Sequence, residues 1–135
     1  EDACVEFCSI PAGDGIYYNV ECNCAGILLI GAGAGRENRE HAPQEVMDKV
    51  QRWSSLGRQS FEERVGECNW ELALVIPYSA FFKHQITSLD GKTVRANFYK
   101  CGDKLQTPHF LSWNPIALEK PNFHCPEFFG TLNFE

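Results

Sequence analysis

The fold is decided by residues 16–24, IYYNVECNC, in which apolar and polar side chains alternate. In an extended strand, successive side chains point to opposite faces. One face then carries Ile16, Tyr18, Val20, Cys22 and Cys24, and the other carries Tyr17, Asn19, Glu21 and Asn23. This alternation predicts a β-strand with one face in the core and a polar second face.

The sequence on both sides of this stretch predicts further strands. Residues 3–10 are rich in strand formers and stop at the turn signal PAGDG, so they should form an antiparallel hairpin with the strand that follows. That strand is expected to continue past a kink at Gly26 as far as Ile30. Additional strands are predicted over residues 70–76, 93–101, 109–113 and 128–134, with a loop over 31–42 and a short helical turn over 77–82.

One helix is predicted, from Pro43 to Trp53. Proline suits a first helical turn, Glu45 lies at the positive end of the dipole, and Val46, Val50 and Trp53 form a stripe at i, i+4 and i+7. Many short strands and one helix favour a mainly β protein, an antiparallel, jelly-roll-like β-sandwich with one inserted helix.

Size and charge exclude several classes of partner. The 135 residues fit one domain, residues 1–135. The net charge of −6 disfavours nucleic acid, which requires a basic stripe. No apolar run reaches the roughly 20 residues that span a bilayer, so we expect no membrane insertion.

Signals for catalysis and for metals are weak. Residues 31–36, GAGAGR, lack the spacing of a dinucleotide or phosphate loop, no histidine pair has metal-ligand spacing, and no nucleophile elbow occurs. Glu6 and Glu21 could be neighbours, but two acids facing an arginine on a sheet more often form a hydrogen-bonding surface. The seven cysteines lack paired CxxC knuckles and are interpreted as small half-buried hydrophobic residues, with one or two disulfides as the alternative. We therefore expect no enzyme, no metal site and no cofactor.

The polar strand faces are the informative feature. Across three strands they carry asparagine, glutamate, arginine and tyrosine but no lysine, with members Cys4, Glu6, Cys8, Tyr17, Asn19, Glu21, Asn23, Arg95, Asn97 and Tyr99. Planar side chains with fixed donors and acceptors suit pairs of sugar hydroxyls, although a solvated or loop-covered face is the alternative. We expect Glu6, Asn23, Arg95 and Asn97 to lie in one patch. Arg95 should bond Glu6 or Glu21, since a buried arginine needs a carboxylate.

Five segments in order resemble carbohydrate-binding modules of family 9 and the bacterial family-9-like domains. They are DACVEF at 2–7, YYNVECN at 17–23 followed by Gly26, WELALVIPYS at 70–79, VRANFYK at 94–100, and SWNP at 112–115. The last segment is followed by Pro121, Phe123, His124, Pro126 and FFGTL at 128–132. The resemblance covers nearly the whole chain.

This resemblance implies a non-catalytic β-sandwich that binds a saccharide. The family's polar contacts fall on Glu6 and Asn23 and its later tryptophan on Trp113, whereas Glu21 stands where an arginine is sometimes found. Its first tryptophan would lie upstream of Glu1, so the domain is expected to be incomplete at its N-terminus. It also implies an extracellular, cell-surface or periplasmic location in a glycan-using bacterium and attachment to a larger parent polypeptide. The resemblance leaves open whether a structural calcium ion is bound.

The tryptophans are expected to differ in role. Trp70 should lie in the core with Leu72, Leu74 and Ile76, and Trp53 should pack the helix or stay half exposed at its end. Trp113 should form the platform for the sugar, with Glu6, Asn23, Arg95 and Asn97 at the rim. Two rival functions remain: a structural or docking domain, and a haem- or sugar-binding redox module of the related DOMON type. The redox module would need axial Met and His ligands, and Met47 is the single methionine.

Overall fold

The computed structural model describes residues 3–135. It is mainly β, with 37% of residues in strands and 8% in helices, and its sheets are antiparallel, as a β-sandwich requires. The strands are β1 Cys4–Ile10, β2 Tyr17–Asn23, β3 Leu28–Gly33, β4 Arg39–His41, β5 Gln51–Ser54, β6 Leu72–Val75, β7 Thr93–Gly102, β8 His109–Ser112 and β9 Gly130–Asn133. The helices are α1 Gln44–Met47 and two single 3-10 turns, Tyr78–Ala80 and Pro126–Phe128.

Seven strands form the large sheet, in the order β4-β3-β2-β1-β7-β8, and β9 pairs with the first half of β7. The predicted hairpin of the first two strands is confirmed, with Glu6 opposite Glu21 and Phe7 opposite Val20. On its other side β1 pairs antiparallel with β7, which brings Cys4 opposite Cys101. This register confirms the strand faces predicted from alternation.

The core lies between the inner face of this sheet and a two-stranded sheet, β5-β6. The inner face is the side that carries Tyr18, Val20 and Ile30. Its main buried cluster comprises Val20, Cys22, Leu28, Ile30, Ala42, Val50 and Ala80. Leu72, Leu74 and Ile76 pack against that cluster from the second sheet, which completes the antiparallel sandwich predicted above.

The opposite, polar face of the large sheet carries Glu6, Asn19, Glu21, Arg95 and Asn97. The chain after β8 covers part of it. Phe123 and Phe129 from this segment form a second buried cluster with Cys8, Tyr17 and Tyr99. Phe123 stacks on Tyr99 with ring centroids 4.2 Å apart. The sequence left open whether this polar face binds a ligand or is covered by a loop. Over much of the face, the structure shows a covering loop.

The predicted helix from Pro43 to Trp53 is wrong beyond its first turn. Helix α1 ends at Met47, and residues 51–54 form β5 instead. Val50 is buried in the core cluster, and Trp53 lies opposite Ala73 in the β5-β6 ladder. The Ser54 hydroxyl donates to the carbonyl of Cys24. These tertiary contacts outweigh a local helical preference of a few tenths of a kcal/mol per residue.

Two further predictions need correction: the loop over residues 31–42, and the single strand that continues past Gly26 to Ile30. A turn at Gly26, with φ of +74°, separates β2 from β3, so the predicted single strand is a hairpin. Strand β3 continues to Gly33 and pairs with β4. A Cβ at Gly33 would collide with the Asn38 carbonyl, so glycine permits the close approach of these two strands.

None of the helices within residues 3–135 has the length and apolarity needed to cross a membrane.

Candidate functional site

The structure places the four predicted polar residues on one sheet face but not in one open patch. Glu6 and Asn23 are each 8% exposed, and Asn97 is fully buried. Arg95 is exposed and lies opposite Ile10, four positions along β1 from Glu6. The four residues therefore share a sheet face, as predicted, but they do not form the predicted open patch.

The predicted bond between Arg95 and Glu6 or Glu21 is wrong. The Arg95 guanidinium donates to the carbonyl oxygens of Phe129, at 3.0 Å, and Glu127, at 3.3 Å. Because Arg95 is exposed, it keeps its hydration and needs no carboxylate partner. Its contacts fix the turn that precedes β9.

Asn23 and Asn97 both hold backbone. Asn23 Oδ1 accepts from the amides of Ala25 and Ile27, at 3.0 and 2.9 Å, and so shapes the turn between β2 and β3. Asn97 Nδ2 donates to the Asn114 carbonyl at 3.1 Å, and Asn97 Oδ1 accepts the Asn114 amide at 2.9 Å. The amide of Asn97 thereby locks the end of β8 to β7.

Replacing Asn97 with alanine is expected to lower the free energy of unfolding by about 2–3 kcal/mol. It leaves partly buried backbone groups of Asn114 without partners, and each such group costs about 1–3 kcal/mol when buried. Urea denaturation followed by circular dichroism measures the change. The exposed Asn133→Ala should stay within about 0.5 kcal/mol of the wild type. Equal stability of the two variants would contradict the locking role of Asn97.

Trp113 lies on the opposite side of the sheet from Glu6 and Asn97. Its backbone amide donates to the carbonyl of Phe98, and its ring makes an edge contact with the Phe98 ring at 5.7 Å. Phe98 stacks on Phe7 with centroids 4.9 Å apart. Trp113 is 53% exposed and Phe98 41%. We call Phe7, Phe98 and Trp113 the aromatic surface.

A groove of about 650 Å³ lies beside the aromatic surface. Lys100 and His109 line it; Lys100 lies two residues from Phe98 on the same face of β7, and Lys100 Nζ and His109 Nε2 are 2.6 Å apart. Trp70 lines the groove as well and is only half buried, so its predicted core position is wrong. The Gln106 amide donates to Glu63 Oε1 at 2.8 Å, which ties the two loops that form the walls.

Sequence reasoning missed Phe98, Lys100 and His109 as surface candidates. Alternation placed Phe98 with Val94 and Ala96 on an apolar face, which is correct, and apolar faces are normally covered. Val94 and Ala96 are buried, at 5% and 0% exposed, whereas Phe98 is open. No local signal distinguishes these positions, because Val94 is buried by Phe81 and Leu89 from another segment of the chain.

Burial perturbs two titratable groups on the polar face in opposite directions. Burial, and then repulsion by Glu21, raises the pKa of Glu6 to about 7, although Asn19 donates to its Oε2 at 3.2 Å. Burial, and then the positive charges of Arg39 and Arg36, lowers the pKa of His124 to about 4. His124 Nδ1 lies 2.9 Å from the Tyr17 hydroxyl. Both groups line a second cavity of about 250 Å³.

His124 should make the protein sensitive to acid. Folded His124 binds its proton more weakly than an unfolded histidine, whose pKa is about 6.5. The unfolded state therefore takes up more protons below pH 6.5, and the free energy of unfolding falls as the pH drops toward 4. Between pH 7 and 4.5, wild type should lose about 1–3 kcal/mol more than His124→Gln in urea denaturation. The exposed His41→Gln serves as the control; an equal loss in wild type and His124→Gln would contradict the assignment.

The redox alternative finds no support at Met47. The Met47 side chain packs against the core cluster that contains Val20 and Ile30. Three of the four histidines are engaged elsewhere: His84 bonds Tyr18 and Asp14, His109 bonds Lys100, and His124 bonds Tyr17. The thioether is thus a packing group in this structure.

Comparison with known proteins agrees with the fold. The sequence profile of the family described as carbohydrate-binding family 9 matches residues 1–134. A crystal structure of a candidate carbohydrate-binding protein from Bacteroides uniformis is 69% identical, with a TM-score of 0.96. The match covers 100% of this chain and 62% of that one, so this chain spans less than two thirds of that protein. None of the curated proteins matches.

A β-sandwich with an open aromatic surface beside a ligand-sized groove defines a binding module. The chain belongs to carbohydrate-binding family 9, as its motifs indicated.

Proposed function

We propose that this chain is a non-catalytic module that binds a saccharide on the aromatic surface, with the adjoining groove supplying polar contacts. The observation that carries the proposal is the exposed pair Phe98 and Trp113, held on paired strands beside a groove of about 650 Å³. Ligand sites in proteins commonly enclose about 300–1,000 Å³.

Trp113 supports this role through chemistry and position. Sugar rings present apolar C–H patches, which pack on aromatic faces. The edge contact with Phe98 and the backbone bond between their strands hold the Trp113 ring in place, so little side-chain entropy is lost on binding.

Polar partners for the hydroxyl groups come from the groove in this proposal. Lys100 Nζ and the His109 ring lie on the same sheet face as Trp113, and Asn23 is among the residues that line the groove. The three other residues predicted to contact the sugar, Glu6, Arg95 and Asn97, lie on the opposite face of the sheet from Trp113. Burial of Glu6 and Asn97, and their position across the sheet from Trp113, favour structural roles for them.

The absence of catalysis belongs to the same proposal. The neighbouring carboxylates Glu6 and Glu21 lie across the sheet from the aromatic surface, so a sugar on Trp113 does not meet them. Release of reducing sugar by the protein, lost in Glu6→Gln or Glu21→Gln, would overturn this part.

Family membership supports a proposal about the location and the partners of this chain. We propose an extracellular, cell-surface or periplasmic module within a larger polypeptide; the related Bacteroides uniformis protein is longer than this chain. Neither nucleic acid nor a bilayer is expected as a partner, given the net charge of −6.

A printed glycan array, followed by calorimetric titration with the best-bound oligosaccharide and its monosaccharides, tests the proposal. Binding to at least one glycan, with fluorescence of the tryptophans changing on titration, is expected. An array that stays blank for the folded protein would instead support the structural or docking alternative.

A further inference from the structure

Away from the aromatic surface, three potential metal ligands converge at one end of the polar face. Strand β1 presents Cys4 and Glu6 on that face, and β7 presents Cys101 directly opposite Cys4. The Cys4 sulfur lies 3.8 Å from Glu6 Oε1. One ligand atom from each residue lies within 4.8 Å of the other two.

The Cys4–Glu6 separation of 3.8 Å is close to that between two ligand atoms of a tetrahedral zinc site. With Zn–S bonds of about 2.3 Å and Zn–O bonds of about 2.0–2.2 Å, neighbouring ligand atoms stand roughly 3.5–3.8 Å apart. Residues opposite each other in an antiparallel pair have Cβ atoms about 4.5–5.5 Å apart, so the sulfurs of Cys4 and Cys101 can close on one ion without moving the strands. Two thiolates and one carboxylate favour zinc over calcium or magnesium, which prefer oxygen ligands.

The carboxylate is already oriented for this role. Asn19 donates to Glu6 Oε2 at 3.2 Å, which leaves Oε1 facing the Cys4 sulfur. Metal-binding carboxylates are commonly held by such an outer hydrogen bond. Asn19 is itself 1% exposed, so its amide is fixed by packing.

Acidic groups adjoin the three ligands, and one arginine, Arg36, lines the cavity that they share. Glu21 lies opposite Glu6, and Asp103 lines the same cavity. A bound cation would offset the mutual repulsion of these carboxylates and deprotonate the thiols.

We propose that Cys4, Glu6 and Cys101 form a structural zinc site, with the fourth position facing the cavity of about 250 Å³ that all three residues line. The ion would clamp β1 to β7. The site lies on the opposite face from Trp113 and does not depend on saccharide binding.

Titration of the reduced protein with Zn²⁺, and with Co²⁺ as a spectroscopic probe, tests the proposal. We expect one ion per chain, a rise in the melting temperature, and a thiolate-to-cobalt charge-transfer band. Cys4→Ser or Cys101→Ser should weaken binding at least about a hundredfold, because losing even an outer partner costs about 10–100-fold. Cys68→Ser, at an exposed cysteine, is the matched control and should bind as wild type.

Glu6→Gln keeps the proposal testable if a buried serine unfolds the chain. It preserves the shape of the side chain and the contact with Asn19, and it should bind Zn²⁺ at least about tenfold more weakly while its circular dichroism spectrum is unchanged. Three outcomes would overturn the site: no zinc bound by the reduced wild type, undiminished binding in Cys4→Ser, or a Cys4–Cys101 cross-linked peptide in protein isolated without reductant.

Discussion

Trp113→Ala is expected to weaken saccharide binding at least about thirtyfold. Removing an aromatic anchor from a binding site costs about 2 kcal/mol or more, which corresponds to that factor in affinity. Trp113 is 53% exposed, so its loss leaves no cavity in the core, and the free energy of unfolding should change little. Calorimetric titration with the best-bound oligosaccharide, beside urea denaturation of the same samples, separates binding from folding.

Trp53→Ala is the matched control for this prediction. Trp53 is 54% exposed, nearly the same as Trp113, but it lies on β5 of the two-stranded sheet. Affinity should change less than about threefold in this variant. If both substitutions reduce affinity equally, or if Trp113→Ala binds as wild type, the aromatic surface is not the site.

Ile30→Ala is expected to lower the free energy of unfolding by about 2–5 kcal/mol. Ile30 is fully buried in the core cluster, opposite Val20 in the β2-β3 pair. The substitution removes apolar burial and leaves a cavity between two sheets that can collapse only in part. Urea denaturation monitored by tryptophan fluorescence gives the change from the midpoint and the slope.

Ile27→Ala provides a comparison of the same residue type three positions earlier. Ile27 is 51% exposed in the turn between β2 and β3. Its substitution should change stability by no more than about 0.5 kcal/mol. A loss at Ile30 no larger than that at Ile27 would show that the inner face does not contribute the main core.

Local alternation predicted the central strands well. In residues 18–23 and 93–97, apolar and polar side chains alternate, and a strand with one apolar face requires that period. Burial follows the alternation at the start of β7, where Ala96 is fully buried and Arg95 is exposed, but not in β2, where both faces are covered. The hairpin of β1 and β2 was likewise predictable, because a strong turn signal separates two such segments.

The candidate site was predicted only in part. Trp113 was singled out by resemblance, and its exposure agrees with a surface role. Its assignment to the same patch as Glu6 failed, because the face on which Trp113 points depends on the register of β8 against β7. That register brings Asn114, not Trp113, against Asn97.

By itself, the sequence determined the central strands β1, β2 and β7, their faces and the family, since these depend on patterns within short segments. Tertiary structure alone decided that residues 51–54 are a strand, that Phe98 is open while Ala96 is buried, and that Cys4 meets Cys101. Each of these outcomes depends on which distant segment lies alongside. Long-range pairing releases more free energy than the small local preferences that a sequence displays, so it overrides them wherever the two disagree.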